Sequence, residues 1–191
     1  MYKSLIFCLL CSCASNNMNL FIKHINNNPA ILCDHKNLYV ISDNVPESYI
    51  GTIKSAVDYW NNGIGKEILI YGGLVHINPG DIQNTNYVVI GVASYDDTMD
   101  IDALAVARVN YRDNCIRGAR VSIQSIHFDG DMIYFENIVR HEVGHVLGLT
   151  HSPFKEDVTY FGIDRWPFLK DAHSSVMDVL KKYYTEKRSE Q

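Results

Sequence analysis

Eleven consecutive residues, His141-Glu142-Val143-Gly144-His145-Val146-Leu147-Gly148-Leu149-Thr150-His151, constrain this chain more than any other stretch. Two histidines four apart on a helix project from the same face, so His141 and His145 can grip one metal ion. Glu142 follows the first of them, where its carboxylate reaches a water at the metal. Gly148, three residues after His145, can end the helix in a left-handed conformation. The chain then turns and returns His151 as a third ligand. Three neutral imidazoles with one open position is the arrangement of a catalytic zinc rather than a closed structural one. An ordinary amphipathic core helix accounts for Phe135, Ile138, Val139, Val143 and Val146 at helical spacing. It accounts for neither Glu142, nor Gly148, nor His151.

This is the extended zinc-binding motif of the metzincin metallopeptidases, and the chain resembles that clan. Ser152, directly after the third histidine, makes it most similar to the matrixin branch. Downstream, Ser174-Ser175-Val176-Met177 resembles the clan's Met-turn, a tight turn placing a methionine beneath the metal. The resemblance implies a zinc-dependent endopeptidase acting on protein or peptide substrates. His141, His145 and His151 would hold Zn²⁺, Glu142 would serve as general base, and Met177 would contribute shape. It implies an α+β, metzincin-like zincin domain: a twisted, mostly parallel five-stranded sheet with an antiparallel edge strand, packed on two long helices. Only 14 residues follow Met177 in the 191-residue chain, so the C-terminal subdomain is short. Val179 stands where the astacin branch carries a tyrosine ligand. Two other readings stay open: a non-cleaving zinc-binding surface protein of this fold, and a hydrolase of a non-protein amide or cell-wall peptide. An intact Glu142 argues against the first.

At 47% hydrophobic and 20% charged residues, the chain suits one domain with a sizeable core. A net charge of −5 without a basic run gives no footing for nucleic acid. No apolar stretch reaches the length of a membrane helix. Residues 1–15 resemble a signal peptide: Lys3 is the positive n-region, Leu5 to Cys11 the apolar core, and Ser12-Cys13-Ala14 the cleavage site. That implies a secreted, extracellular or periplasmic protein. Alternatively Leu10-Cys11-Ser12-Cys13 approximates a lipobox, and a lipid on Cys13 is the only membrane association expected. An uncleaved apolar N-terminus is the third reading. Either cleavage leaves Cys33 and Cys115, an even pair read most simply as a disulfide. The competing reading is a latency switch with the Cys33 thiolate on the metal, although Ile31-Leu32-Cys33-Asp34 does not match the matrixin switch. Residues 16–35, rich in asparagine and closed by Pro29, read as a spacer or short propeptide. Within them the apolar island Leu20-Phe21-Ile22 is suited to dock on the body. Residues 36–191 form the metallopeptidase domain, expected as a monomer.

Within that domain Asn37 to Ile41 reads as a strand. Pro46 opens a helix with Glu47 at its positive end. Tyr49, Ile53, Val57 and Trp60 form its buried stripe, and Asn61-Asn62-Gly63 its end. Further strands are expected over Glu67–Tyr71, Asn86–Val92, Ala103–Asn110 and Arg120–Phe128, with loops at Gly72-Gly73 and Pro79-Gly80. In the resemblance the strand at Ala103–Arg108 is the sheet's outer edge, along which a peptide adds as a further strand. Asp96, Asp97, Asp100 and Asp102, and separately Asp129-Gly130-Asp131, open a Ca²⁺ reading against the default of solvated acidic loops. Ile126-His127-Phe128-Asp129 resembles the matrixin stretch holding structural zinc and calcium, but Val106 stands where a partner histidine is expected. His24, His35 and His76 have no partners at ligand spacing. His173 lies near the Met-turn, and Tyr160 and Phe161 are candidates to line the cleft.

Overall fold

Runs of β-branched residues such as Val88-Val89-Ile90, fully buried, belong in a parallel sheet covered on both faces. A computed structural model describes residues 20–33, 37–74, 86–93, 103–162 and 167–185. Its main sheet joins β3 (Ile31–Leu32), β4 (Leu38–Asp43), β5 (Leu69–Leu74), β6 (Tyr87–Val92), β7 (Ala105–Arg112) and β8 (Cys115–Ile123). The order is β3-β8-β6-β4-β5, all parallel, with β7 antiparallel on β8. Side chains alternate across the sheet. Leu38, Val40, Val88, Ile90, Val121 and Ile123 face the helices in one core, whereas Ile41 and Val89 form a separate pair on the other face.

Three helices cover the core: α1 (Ile50–Ile64), α2 (Met132–Val146) and α3 (Ser174–Thr185). The expected stripe Tyr49, Ile53, Val57, Trp60 is buried throughout. The helix runs past Asn61-Asn62-Gly63, however, and ends at Gly65, whose φ of 78° supplies the left-handed cap. Asn61 does another job. Its side chain accepts from the Ile68 and Leu69 amides and donates to the Leu69 carbonyl, fixing the start of β5.

Three further differences have physical causes. The last strand is Cys115–Ile123 rather than Arg120–Phe128, because Ser125–His127 close a 3-10 turn before α2. Ser174–Met177, expected as a tight turn, are the first turn of α3, whose Val176, Val179, Leu180 and Tyr184 are buried. The asparagine-rich stretch contributes structure: β1 (His24–Ile25) and β2 (Asn28–Pro29) make a hairpin. Asn26 and Asn27 at its tip have φ of 51° and 64°, the left-handed pair a two-residue hairpin turn demands and asparagine tolerates. The island ahead of it does dock, with Phe21 and Ile22 in the core, and β3 adds a sixth strand to the five expected.

Cys33 and Cys115 are disulfide-bonded with Cα atoms 5.2 Å apart. Cys33 therefore has no thiolate to offer a metal, and the switch reading is set aside. Residues 1–15 with Cys13, the Asp96–Asp102 cluster, His35 and His76 lie outside the described residues. Among the described residues no helix is long and apolar enough to cross a membrane.

Candidate metal centre

α2 is buried on nearly every side. Asp131 caps its start, accepting from the Tyr134 amide at 3.0 Å. Phe135, Ile138, Val139, Val143 and Val146 are wholly buried, as their spacing predicts. The polar Glu136, Asn137 and Arg140 are nearly as deep, and each is satisfied. Glu136 Oε1 receives Arg140 Nη2 at 2.6 Å, Arg140 Nε at 3.0 Å and Ser55 Oγ at 2.8 Å. The guanidinium lies 4.0 Å over the Tyr59 ring and donates to the Lys170 carbonyl. Asn137 brackets residues 168–170 with one bond each way. This polar seam locks α2 to α1 and to the segment before α3.

Next to this seam round the helix stand His141 and His145. His141 Nδ1 lies 2.9 Å from the Val158 carbonyl oxygen, and His145 Nδ1 lies 2.9 Å from that of Leu149. A carbonyl only accepts, so both rings carry their proton on Nδ1 and both Nε2 atoms present lone pairs. Those two Nε2 atoms face each other at 3.0 Å. Two ligand atoms on a tetrahedral zinc, each bonded at 2.0–2.1 Å, stand about 3.3 Å apart. Gly148, with φ of 91°, turns the chain after α2 and brings the exposed His151 back. Its ring centroid lies 4.7 Å from that of His145 and 5.3 Å from that of His141. One ligand atom from each of the three falls within 4.8 Å of the others, the one such group among the described residues. The donor chemistry and spacing fit zinc.

Burial keeps these groups neutral. Desolvation, then the neighbouring His145, depress the His141 pKa to about 3. Desolvation likewise takes His145 to about 4 and lowers His151. Glu142 moves the other way, pushed up to about 7 by desolvation and held back by a hydrogen bond from the Ala107 backbone. A cleft of about 480 Å³ opens over these residues, walled by residues 103–107 on one side and by Phe161 and Gly162 on the other.

The edge strand supplies that wall. Gln124 N donates to the Leu104 carbonyl, so residues 104, 106 and 108 turn their backbone groups toward β8. Residues 105, 107 and 109 direct theirs toward the cleft, consistent with Ala107 reaching Glu142.

The remaining sequence candidates divide. Phe161 lines the cleft, and Tyr160 packs beside it at 4.7 Å. Met177 lies against Gly63 of α1, where a Cβ would stand 2.8 Å from its sulfur, a core-packing contact. His127 is buried with its ring 5.5 Å from that of Tyr134, and belongs to no ligand group among the described residues. Asp129 and Asp131 accept from backbone amides of their own turn. His24 bonds the Ile22 carbonyl, and His173 stacks on Phe154.

Sequence reasoning passed over Asp157. It is 1% exposed and accepts from Thr159 N, Thr159 Oγ1 and His173 N at 2.6, 2.7 and 2.7 Å. These bonds shape the turn that presents the Val158 carbonyl to His141. An Asp followed two residues later by Thr is an Asx-turn pattern that could have flagged it.

Among solved structures, the chain is similar to archaemetzincin from Methanopyrus kandleri, with a TM-score of 0.53 and 13% identity. The match covers 80% of this chain and 97% of that one, and the likeness is one of fold. No family model matches the sequence, and no curated protein does.

Proposed function

We propose that this chain is a zinc-dependent endopeptidase of metzincin type. One observation carries the reading: two imidazole lone pairs face each other at 3.0 Å, beside a third imidazole and a buried carboxyl group. Lone pairs so placed repel unless they share a cation, and a purely structural helix has no use for them.

His141, His145 and His151 would hold the ion, the first two oriented by the Val158 and Leu149 carbonyls. Zinc at that position supplies Lewis acidity that polarises a carbonyl and lowers the pKa of water from 15.7 toward about 7. Glu142 takes the proton from the attacking water and delivers it to the leaving amine. Its burial suits the task, because a carboxyl near pH 7 can both accept and give a proton. The outward backbone groups of Ala105 and Val109, with the carbonyl of Ala107, would receive a peptide as an added strand, aligning it over the histidines. Within the clan, Ser152 favours the matrixin branch; its Oγ accepts from the Phe154 amide and shapes the turn after His151.

A disulfide fits the proposal that residues 1–15 direct export, since such bonds persist in oxidising compartments. The test is digestion of casein or gelatin by zinc-loaded protein. Cleavage that stops with chelator, and that is lost in a Glu142→Ala variant still binding zinc, supports an endopeptidase. Zinc binding without cleavage of any protein or peptide would favour the non-cleaving surface protein instead.

A further inference from the structure

After the left-handed turn at Gly148 the chain leaves α2 through Leu149 and Thr150, and the backbone of Phe21–Lys23 pairs with it. Lys23 N donates to the Gly148 carbonyl at 2.8 Å, and Thr150 N donates to that of Phe21 at 2.9 Å. Ile22 and Leu149 form the antiparallel bridge between them. Thr150 Oγ1 adds a bond to the Leu20 carbonyl at 2.7 Å. The returning arm of the hairpin closes the other side: Ala30 N donates to the Lys23 carbonyl at 2.7 Å. The Ala30 carbonyl oxygen occupies the space a Cβ on Gly148 would need. Glycine at 148 therefore serves both the left-handed turn and this close approach. The far end is anchored where β3 pairs with β8 and Cys33 is bonded to Cys115.

The clasped segment carries what two of the three ligands require. Leu149 supplies the carbonyl that orients His145, and Thr150 is followed by His151. His151 is exposed, so little packing holds its ring and its place is set by the backbone beneath it. We infer that residues 20–33 form a strap that is part of the metal centre: its backbone positions the Leu149–His151 segment, and the disulfide secures its end. The inference rests on the zinc reading above. It also means that these residues stay in the working protein and are not removed as a propeptide.

The experiment measures zinc affinity by competition with a chromophoric chelator, alongside the visible spectrum of the cobalt(II)-substituted protein and urea unfolding of the metal-free form. Lys23→Pro removes the amide that bonds Gly148; Lys23→Ala keeps it and removes the side chain beyond Cβ, whose ammonium lies over the Tyr111 ring. Thr150→Val removes the hydroxyl bond to Leu20 with little change in shape, and carries the test if Lys23→Pro does not fold. The strap account expects zinc affinity to fall about tenfold or more in Lys23→Pro and severalfold in Thr150→Val, the range seen when groups orienting a ligand are lost. The cobalt spectrum shifts with them, and Lys23→Ala stays within about twofold of wild type, since ligand-orienting bonds remain intact. Zinc affinity and spectrum unchanged in the folded Lys23→Pro and Thr150→Val proteins, even with a lowered urea midpoint, would overturn the strap account. Failure of the wild type to bind zinc would instead overturn the zinc reading, before any variant is compared.

Discussion

His141 Nε2 faces His145 Nε2 at 3.0 Å, and neither nitrogen carries a proton because each ring donates through Nδ1 to a carbonyl. One helical turn and two loop carbonyls thus set two imidazole lone pairs against each other. From this relationship and its surroundings follow outcomes that separate a metal centre from a packed histidine cluster.

The metal-free protein loses stability as pH falls. His141 and His145 titrate at about 3 and 4 when folded, against an ordinary 6.5. Between pH 6.5 and 4.5 the unfolded chain therefore binds two protons that these folded histidines refuse. Glu142 opposes them, since its folded pKa of about 7 exceeds the ordinary 4.5 and the folded state gains a proton there. The net excess in the unfolded chain is one proton, so stability drops by about 1.4 kcal/mol per pH unit. Glu142→Gln removes the opposing group and steepens the drop toward about twice that. Urea unfolding in chelator at pH 7, 6 and 5 reads both slopes; a flat wild-type profile contradicts the assignment.

Zinc uptake releases a proton whose source is Glu142. At pH 6 its carboxyl is largely protonated in the metal-free protein, while the helix histidines are already neutral. A dication a few ångströms away favours the carboxylate. Calorimetry at pH 6 in buffers of different ionisation enthalpy should find about one proton released per zinc. Glu142→Gln should release much less at that pH.

Asp157→Ala should cost more than an ordinary loop substitution. It leaves the Thr159 amide, the Thr159 hydroxyl and the His173 amide without their acceptor. At about 1–3 kcal/mol for each of the two buried Thr159 donors so orphaned, a loss of at least about 2 kcal/mol is expected. Asp157→Asn retains one acceptor oxygen and should recover part of it. The urea midpoint measures the loss, and zinc affinity should fall with it because the Val158 carbonyl that orients His141 moves.

The histidine cluster was legible in sequence because its spacing is a local property of one helix and one turn. His141, Glu142, His145, Gly148 and His151 sit within a single continuous stretch. What held them was less visible, because it comes from distant segments or from the backbone. Leu149 and Val158 act through carbonyls, which leave no trace in residue type. The asparagines at 26 and 27 look like a solvated spacer by composition, yet two left-handed residues are what a tight hairpin needs. Glu136 and Arg140 look like a solvent-facing i, i+4 pair, and only the packing of α1 over them puts both inside. The same limit explains Met177, whose neighbour Gly63 lies far away in the sequence.

The most direct test is X-ray absorption at the zinc edge of protein loaded with one equivalent of metal. The account predicts three imidazole nitrogens at about 2.0–2.1 Å and one further light-atom ligand. It also predicts two imidazoles in His151→Ala. A sphere with fewer than three imidazoles in the wild type, or one unchanged by His151→Ala, would contradict it.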